Sequence, residues 1–406
     1  MSLIGSIVSY HLCAKYLGDV GFGEFATSKR LLALFYPVFT QVLATALAFH
    51  ITKCGSRSDD GTHVSFLGSA LALVVLVVLG IWLPILCFPA QLAVLALGSE
   101  QFEALLRSFP VVLLGTGLVA VSSSYYVGRT NFLISSAITA TASGLIPVLS
   151  LLAPNDDVAD VFWKMGLQLT ALGGFVLVYT FRGLAASRPT MATVKERFGL
   201  LCSYAVPRVP GSILLTAVVT LPVLFQARGP ESMVTTGVLA LGCTLVVLSQ
   251  SLVHPIAWVL LPFITQAASA QNKRSLGTAA WKSVLGLTLI LLPAIALACI
   301  FADVILRYWI GQGTERYAYI LRWTLPAIFP FALFECLKSI IDGSTRVAYT
   351  TVISGVATLV FLGSHQALTI LGFESPSLPA LQLAALSLGL GAIYFTRKVI
   401  NTVEES

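Results

Sequence analysis

The fold is decided by the stretch Glu196–Gln266, which reads ERFGLLCSYAVPRVPGSILLTAVVTLPVLF, then QARGPESM, then VTTGVLALGCTLVVLSQSLVHPIAWVLLPFITQ. Two apolar runs, each longer than the roughly 20 residues that a membrane-spanning helix needs, flank a short polar turn. The stretch therefore predicts two transmembrane helices joined by a tight connection.

The composition of the whole chain is that of a polytopic membrane protein. Of its 406 residues, 57% are hydrophobic and 10% are charged, whereas about 25% of the residues in a soluble domain are charged. Apolar segments of spanning length recur along the chain and predict an all-α protein with about 12 transmembrane helices. The segments lie at residues 3–17, 25–50, 64–88, 105–126, 132–153, 161–181, 199–225, 234–265, 276–302, 320–341, 348–372 and 380–396.

A basic connection near the middle of the chain separates the first six predicted spans from the last six. It reads RGLAASRPTMATVKERFG (Arg182–Gly199) and divides the chain into halves of similar length. The sequence thus predicts two six-helix lobes. The predicted boundaries are an N-lobe at 1–181, a cytoplasmic linker at 182–198, a C-lobe at 199–396 and a cytoplasmic tail at 397–406.

The distribution of lysine and arginine predicts the orientation in the membrane, because these residues are enriched in cytoplasmic loops. With the amino terminus in the cytoplasm, thirteen of them fall on the cytoplasmic side and seven on the opposite side. We therefore expect a multi-pass protein with both termini in the cytoplasm.

Arg208 lies inside a predicted span, between Pro207 and Pro210. If the helix enters the membrane near Gly199, the side chain lies about 13 Å deep at about 1.5 Å per residue. A cation at that depth costs at least about 2.5–3.5 kcal/mol on insertion scales, so it should face a polar interior. Two roles fit: a structural arginine that binds carbonyls freed by the prolines, or a cation that receives an anionic head group.

Lys29 and Arg30 form a second basic feature at the start of the second predicted span. They follow the glycine-rich sequence GDVGFGEFATS, which predicts an outer turn, and come five and six residues after Glu24. Long basic side chains at such a place commonly extend to the membrane interface. If the span begins at Phe22, however, Arg30 points into the helix bundle. The second arrangement makes both cations candidates for anion binding.

Three further titratable residues lie within predicted spans. Glu335 and Lys338 are three residues apart and hence on one helix face, where they form an ion pair or leave Glu335 as a protonatable carboxyl. His254 precedes Pro255 and is either part of the hydrogen-bonded structure or a titrating group.

Motifs of the common enzyme classes are missing from the sequence. It contains no G-x-S-x-G, no phosphate-binding P-loop, no HExxH and no long polar loop with paired acids. Its seven cysteines are scattered without metal-ligand spacing. We therefore expect no catalytic residue, no metal and no cofactor.

The sequence SYAVPRVPG (Ser203–Gly211) resembles the arginine-and-proline signature at the start of the second lobe in bacterial polysaccharide flippases. These are the Wzx-type lipopolysaccharide biosynthesis proteins of the multidrug/oligosaccharidyl-lipid/polysaccharide exporter (MOP) superfamily. The sequence YYVGRTNF (Tyr125–Phe132), which contains Arg129, resembles one of the family's cytoplasmic corners. Further similar stretches are spread along most of the chain: Lys15–Leu47, Gly237–Ser269 and Leu337–Tyr349. The predicted first helix is shorter than is usual in the family.

The resemblance implies a protein that moves an undecaprenyl-pyrophosphate-linked oligosaccharide across the bacterial inner membrane for O-antigen or exopolysaccharide biosynthesis. The implied mechanism is alternating access of the two lobes around a central cationic cavity, driven by antiport of H+ or Na+. The pathway's polymerase and chain-length regulator are implied partners; nucleic acid is not. The resemblance assigns pyrophosphate or acidic-sugar binding to Arg208 and Arg30. Lys29 and Lys338 are further candidates for the cationic cavity, and Glu335, His254 and Glu24 are candidates for ion coupling.

Two other functions remain open at this stage. A drug or organic-cation exporter of the same superfamily needs a buried carboxylate in the N-lobe, where the predicted acids all lie at turns. An O-antigen polymerase or ligase, which is an enzyme, needs a sizeable outer domain, and no predicted outer loop is large enough. A flippase for a lipid-linked peptidoglycan precursor differs only in its cargo.

Overall fold

The computed structural model describes residues 2–54, 60–155, 157–184, 191–227, 233–269, 273–310, 317–344 and 349–402, and these are almost entirely helical. The α-helices are α1 (Ser2–Ala33), α2 (Ala44–Cys54), α3 (Asp60–Cys87), α4 (Pro89–Leu97), α5 (Glu103–Gly128), α6 (Phe132–Ala140), α7 (Ile146–Leu152), α8 (Val158–Gly183), α9 (Met191–Ala205), α10 (Val209–Ala227), α11 (Met233–Ser269), α12 (Lys273–Ile300), α13 (Ala302–Trp309), α14 (Ala318–Thr324), α15 (Ile328–Ser344), α16 (Tyr349–Ile370) and α17 (Ser377–Thr402). Short 3₁₀ or π turns link some of them, at Val38–Leu43, Glu100–Phe102, Thr141–Leu145, Val206–Arg208 and Leu325–Ala327.

The prediction of an all-α polytopic membrane protein is confirmed. Within the described residues, ten helices are long and apolar enough to cross a membrane, and a bent pair, Ile4–Ala33 with Val38–Cys54, makes eleven. About twelve spans were predicted, and the first two predicted spans fall on this bent pair. The large exposed hydrophobic side chains along these helices are what lipid contact requires.

The chain reverses direction inside α1, at Gly18. This glycine has φ 70° and ψ −174°, a conformation that a residue with a Cβ rarely adopts. Tyr10 and Lys29 would lie about 28 Å apart along a straight helix, yet the Lys29 ammonium lies 4.8 Å from the Tyr10 ring centre. Residues 2–17 and 19–33 are therefore two arms of a helical hairpin that turns at Gly18, and the rest of the predicted glycine-rich turn, residues 19–28, is helical.

The described chain divides into two compact units, Met1–Ile213 and Leu214–Ser406. The first unit contains α9 and the first residues of α10, which the sequence assigned to the linker and to the start of the C-lobe. The second unit starts within α10. The division of the spans into six and six remains a prediction.

The first unit is built around α5, which packs most extensively against α8. Glycines allow the two helix backbones to approach closely: a Cβ on Gly115 would lie 2.7 Å from the Thr170 nitrogen, and one on Gly166 would lie 2.8 Å from the Val112 nitrogen. Small residues at helix crossings are the usual way to gain van der Waals contact in lipid.

The second unit is built around α15, which packs against α11, α12 and α17. Part of its core is a cluster of buried apolar residues that α11, α12 and α15 contribute together: Val253, Leu287, Ala332 and Cys336. Gly242 makes a close crossing, because a Cβ there would lie 2.2 Å from the Thr324 hydroxyl oxygen. This unit positions Glu335 on α15.

Candidate functional site

Four consecutive polar residues in the second arm of α1 have side-chain nitrogen or oxygen atoms shielded from solvent, although Lys29 as a whole is only partly buried. Thr27, Ser28 and Arg30 are 0%, 0% and 5% exposed, and the Lys29 ammonium is also shielded from solvent. The Thr27 and Ser28 hydroxyls, the Lys29 Nζ and the Arg30 Nε and Nη1 have no hydrogen-bond partner in the described structure. Four successive helical residues face in different directions, so the shielding of polar atoms on all four requires protein around most of this turn. The hairpin at Gly18 supplies one side, because it folds residues 2–17 back onto it.

The Lys29 ammonium lies against two aromatic rings. Its Nζ lies 4.8 Å from the Tyr10 ring centre and 5.5 Å from that of Phe25. The two rings pack edge to face at 5.7 Å. Phe25 continues into the core of the unit through Phe162 at 5.5 Å. The ammonium therefore has apolar surroundings in which the two aromatic ring faces are its electrostatic contacts.

Arg30 lies on the adjacent helix position, towards the bend that ends this arm. It is within electrostatic range of Tyr36, whose hydroxyl is hydrogen-bonded to Thr116 on α5. Pro37 follows, and a π-helical turn begins at Val38. Turns of this kind are frequently found at functional sites. Arg30 therefore points into the helix bundle rather than to the interface.

Two adjacent buried basic side chains, with no acidic partner among the described residues, are energetically costly when both are charged. Each isolated buried ion costs several kcal/mol after relaxation, whereas a ring face returns about 2 kcal/mol at most to Lys29. Arg30 keeps its charge, since guanidinium groups do not deprotonate in proteins. A site with unsatisfied donors and positive charge is complementary to an anion that brings oxygen acceptors, such as a phosphate or a carboxylate.

Glu24 lies one turn before these cations and is only partly buried. It is within electrostatic range of Asp157, at the start of α8, and not paired with Lys29 or Arg30 in the described structure. Its assignment to ion coupling remains a prediction.

Arg208 belongs to a different part of the first unit and is exposed. Its Nη1 donates to the Tyr204 carbonyl at 2.8 Å, and its guanidinium lies 4.0 Å from the Tyr204 ring centre. The helix is distorted here into the 3₁₀ turn Val206–Arg208, as the two prolines predict. The side chain thus makes the carbonyl contact of the structural role, while its exposed surface leaves it accessible to an anion.

Tyr204 is also one end of an aromatic stack that joins α9 to α2 and α3. Its ring stacks on Phe49 at 5.1 Å and meets the edge of His50 at 6.1 Å. His50 in turn stacks on Phe66 at 5.2 Å, and the Arg197 guanidinium lies 5.2 Å from the Phe66 ring centre. The stack is one of the contacts that hold α9 against α2 and α3 in the first unit.

We expect Tyr204→Ala to loosen α9. Aromatic pairs contribute about 0.5–1.5 kcal/mol each, so loss of two of them lowers the protection of α9 amides by about tenfold or more. Hydrogen exchange followed by mass spectrometry measures this directly. The matched control is Tyr179→Ala on α8, where the side chain is 69% exposed. Unchanged protection of α9 in the Tyr204 variant would contradict the role given to the stack.

Glu335 and Lys338 are brought together in the second unit. Glu335 is 7% exposed, and its Oε1 lies 3.9 Å from the Lys338 Nζ. This distance fits the ion pair that their spacing predicts, although it is too long for a direct hydrogen bond. His254 lies in α11, but its side chain is outside the described residues.

Arg129 lies at the corner between α5 and α6 and is exposed. The corner is held by Thr52, whose hydroxyl donates to the Gly128 carbonyl at 3.3 Å, and by the Arg129 amide, which donates to the Tyr125 carbonyl. A Cβ on Gly128 would lie 2.7 Å from the Ile51 Cβ. The corner is thus tightly packed against α2, and its arginine is free to contact solvent or lipid head groups.

Sequence reasoning missed Thr27 and Ser28 as part of the site and Tyr10 as a contact of Lys29. A run of four polar residues, TSKR, inside an apolar segment was the available signal for the two hydroxyls. The approach of Tyr10 had no signal, because nineteen residues of sequence separation say nothing about distance until the hairpin forms.

Comparison with known proteins identifies the fold. Residues 213–363 match the MatE family. The structure is similar to an inward-facing multidrug resistance MATE family transporter of the MOP superfamily, with a TM-score of 0.81, 12% identity and coverage of 100% of this chain and 96% of the other. It is also similar to the lipid II flippase MurJ in an inward closed conformation, with a TM-score of 0.76, 14% identity and coverage of 99% and 87%. No curated protein matches the sequence.

A third similar structure is a MOP-superfamily transporter from Pyrococcus furiosus that is described as having a binding pocket of reversed polarity. Its TM-score is 0.67 at 12% identity, and the alignment covers 99% of this chain and 96% of the other. The protein therefore has the fold of the MOP-superfamily transporters. Within its second unit it carries the sequence pattern of the MatE family.

Proposed function

We propose that this protein flips an undecaprenyl-pyrophosphate-linked oligosaccharide from the cytoplasmic to the outer leaflet of the bacterial inner membrane. It does so by ion-gradient-driven alternating access and serves the biosynthesis of a cell-surface polysaccharide. The observation that carries the proposal is the pair formed by the buried Arg30 and the shielded Lys29 ammonium, which has no acidic partner in the described part of the first unit. A pyrophosphate group supplies the acceptors and negative charge that this pair lacks.

The comparisons support the same proposal at a coarser level. MurJ, which shares the fold, is a lipid II flippase. Its likeness at 14% identity bears on architecture only, so the cargo assignment rests on the charge of the site and on the resemblance of Ser203–Gly211 to polysaccharide flippases. In this proposal the exposed Arg208 makes a first contact with the head group, and Arg30 and Lys29 bind it deeper in the unit.

Leaflet assignment of the lipid-linked glycan tests the proposal. In cells that lack the gene, a lectin or glycosidase added to the outer face should find no lipid-linked glycan, because the glycan stays on the cytoplasmic leaflet. The wild-type gene should restore outer-face access. Single repeat units that reach the outer face but remain unpolymerised would instead indicate a polymerase.

The Arg208→Ala variant, assayed in the same cells, separates the two roles of this arginine. Loss of surface polysaccharide at normal protein abundance assigns Arg208 to head-group binding. Wild-type polysaccharide, or a loss that follows lower abundance, assigns it to the carbonyl contact with Tyr204.

An organic-cation exporter is the second candidate, and one observation favours it. Glu335 is a buried acid, the only one among the described residues, and a buried acid is what a cationic drug requires. It lies in the second unit, however, and already has Lys338 as a neighbour. Efflux of a fluorescent organic cation from the same deletion strain distinguishes the two functions.

We expect Glu335→Gln to weaken the dependence of flipping on the proton gradient. The substitution keeps the size of the side chain but removes the proton-exchanging carboxyl beside Lys338. Flipping in proteoliposomes with and without an imposed pH gradient measures the effect. The matched control is Glu103→Gln, which removes an acid that pairs with Arg107, four residues further along the surface of α5. An unchanged response to the gradient would argue against coupling through Glu335.

A further inference from the structure

The charge state of Lys29 is the unexplained feature of the buried run at residues 27–30. Its Nζ has no hydrogen-bond partner in the described structure, and its neighbours on the facing arm are the Tyr10 ring and Cys13. The Cys13 thiol is directed elsewhere, since it donates to the Gly21 carbonyl at 3.7 Å. The favourable contacts that the structure shows for this ammonium are the ring faces of Tyr10 and Phe25.

Arg30 makes a permanent charge on Lys29 still less favourable. The two residues are adjacent in sequence, and the Arg30 Nε and Nη1 are likewise buried without partners. Like charges at this separation in a low-dielectric interior repel strongly. Of the two groups, only the lysine is able to give up its proton, because guanidinium stays charged.

The remaining titratable groups near Lys29 do not neutralise it. Glu24 lies on the same arm, with the like-charged Asp157 at the start of α8 as its neighbour, and it makes no ion pair with Lys29 in the described structure. On the other side of Arg30, Tyr36 is hydrogen-bonded to Thr116. Within the described residues, no carboxylate is placed to hold the ammonium.

We infer that Lys29 is a proton-exchanging residue that takes up a proton when an anion binds beside Arg30 and releases it when the anion leaves. The inference rests on the proposed function and adds a coupling group that is a lysine rather than a carboxylate. In the empty site Lys29 is a neutral amine and Arg30 is the single cation. When an oxyanion arrives, the amine accepts a proton from water, and the resulting ammonium faces the anion. The reverse transfer returns the proton to water.

Binding of sulfate to the detergent-solubilised full-length protein tests the inference. Sulfate is an oxyanion that stays fully ionised across the experiment, so any pH dependence belongs to the protein. Uptake of one proton on binding makes affinity fall as pH rises, by up to about tenfold per pH unit. Radiolabelled sulfate binding, measured at several pH values on both sides of neutrality, gives this slope.

Three variants test whether the pH dependence of sulfate binding comes from Lys29. Lys29→Arg carries a permanent charge, so it should bind sulfate with an affinity that no longer varies with pH. Lys29→Met is permanently neutral and should bind more weakly, also without pH dependence. The control Lys15→Met removes a lysine that likewise lies over a ring, Tyr16 at 5.7 Å, but is exposed, and it should behave as the wild type.

A wild-type slope that persists in Lys29→Arg would overturn the inference and leave the anion site intact. A wild type that binds sulfate with no pH dependence would also overturn it, since Lys29 would then be charged throughout. Absence of sulfate binding in the wild type would count against the anion site itself, and thus against the proposed function as well. The failure of the inference and that of the proposed function are therefore distinguishable.

Discussion

Replacement of Arg30 by methionine is expected to lower glycan flipping by at least about 30-fold without loss of folded protein. Removal of one side of a buried charged contact costs about 2–5 kcal/mol of binding, and each 1.4 kcal/mol is about tenfold. The fold should tolerate the change because methionine fills a similar volume and relieves an unpaired buried cation. Flipping into proteoliposomes and thermal unfolding in detergent are the two measurements.

The Arg30→Met variant distinguishes a binding role from a structural one, because flipping should fall while stability does not. A residue that serves only the structure loses stability and activity together, whereas a binding residue held at a cost to the fold loses activity alone. Arg107→Met is the matched control, because its side chain is 55% exposed and pairs with Glu103 on the surface of the same unit. Normal flipping by Arg30→Met would remove the main support for an anion site in the first unit. Flipping by Arg30→Lys should lie between that of the wild type and that of Arg30→Met, since lysine keeps the charge and loses the planar guanidinium.

Gly173→Ala is expected to destabilise the first unit by about 1–3 kcal/mol, the usual cost of overpacking a close helix contact. A Cβ at this position would lie 2.6 Å from the Leu118 Cβ and 2.9 Å from the Val119 backbone nitrogen. A backbone atom is not able to move aside alone, so α5 and α8 must separate. The thermal unfolding midpoint of the purified protein measures the loss.

The neighbouring glycine is the control. A Cβ on Gly174 meets nothing within 4 Å, so Gly174→Ala should be neutral or stabilise the helix by up to about 1 kcal/mol. The two variants differ by one position on one helix and have the same change in side chain. Equal unfolding midpoints for both would show that the close crossing of α5 and α8 does not contribute to stability.

Hydropathy predicted the helices well because it is a local property. Whether a run such as Val158–Gly183 is long and apolar enough to cross a bilayer depends on its own residues and on the thickness of the membrane. The same holds for the turn at Gly18, where a glycine-rich sequence between two apolar runs has few other solutions. The distorted turn at Arg208 followed from Pro207 and Pro210 for the same reason.

Side-chain surroundings were beyond the sequence because they depend on which helices pack together. The sequence allowed two positions for the Lys29 side chain, at the membrane interface or inside the helix bundle. The hairpin decides between them, because it places Tyr10 against the ammonium. The attachment of α9 to the first unit depends on rings from three helices that meet only in the folded chain, with Tyr204 against Phe49 as its closest pair.

By itself the sequence determined an all-helical membrane protein, its spans, its breaks and the small number of charges within it. Each of these follows from the cost of placing backbone or charge in lipid, which every segment bears on its own. Only the tertiary structure decided which of those charges are enclosed. Arg30 is buried with no acidic partner among the described residues, while Arg208 is exposed and bound to a carbonyl, because burial is set by the helices that surround a residue.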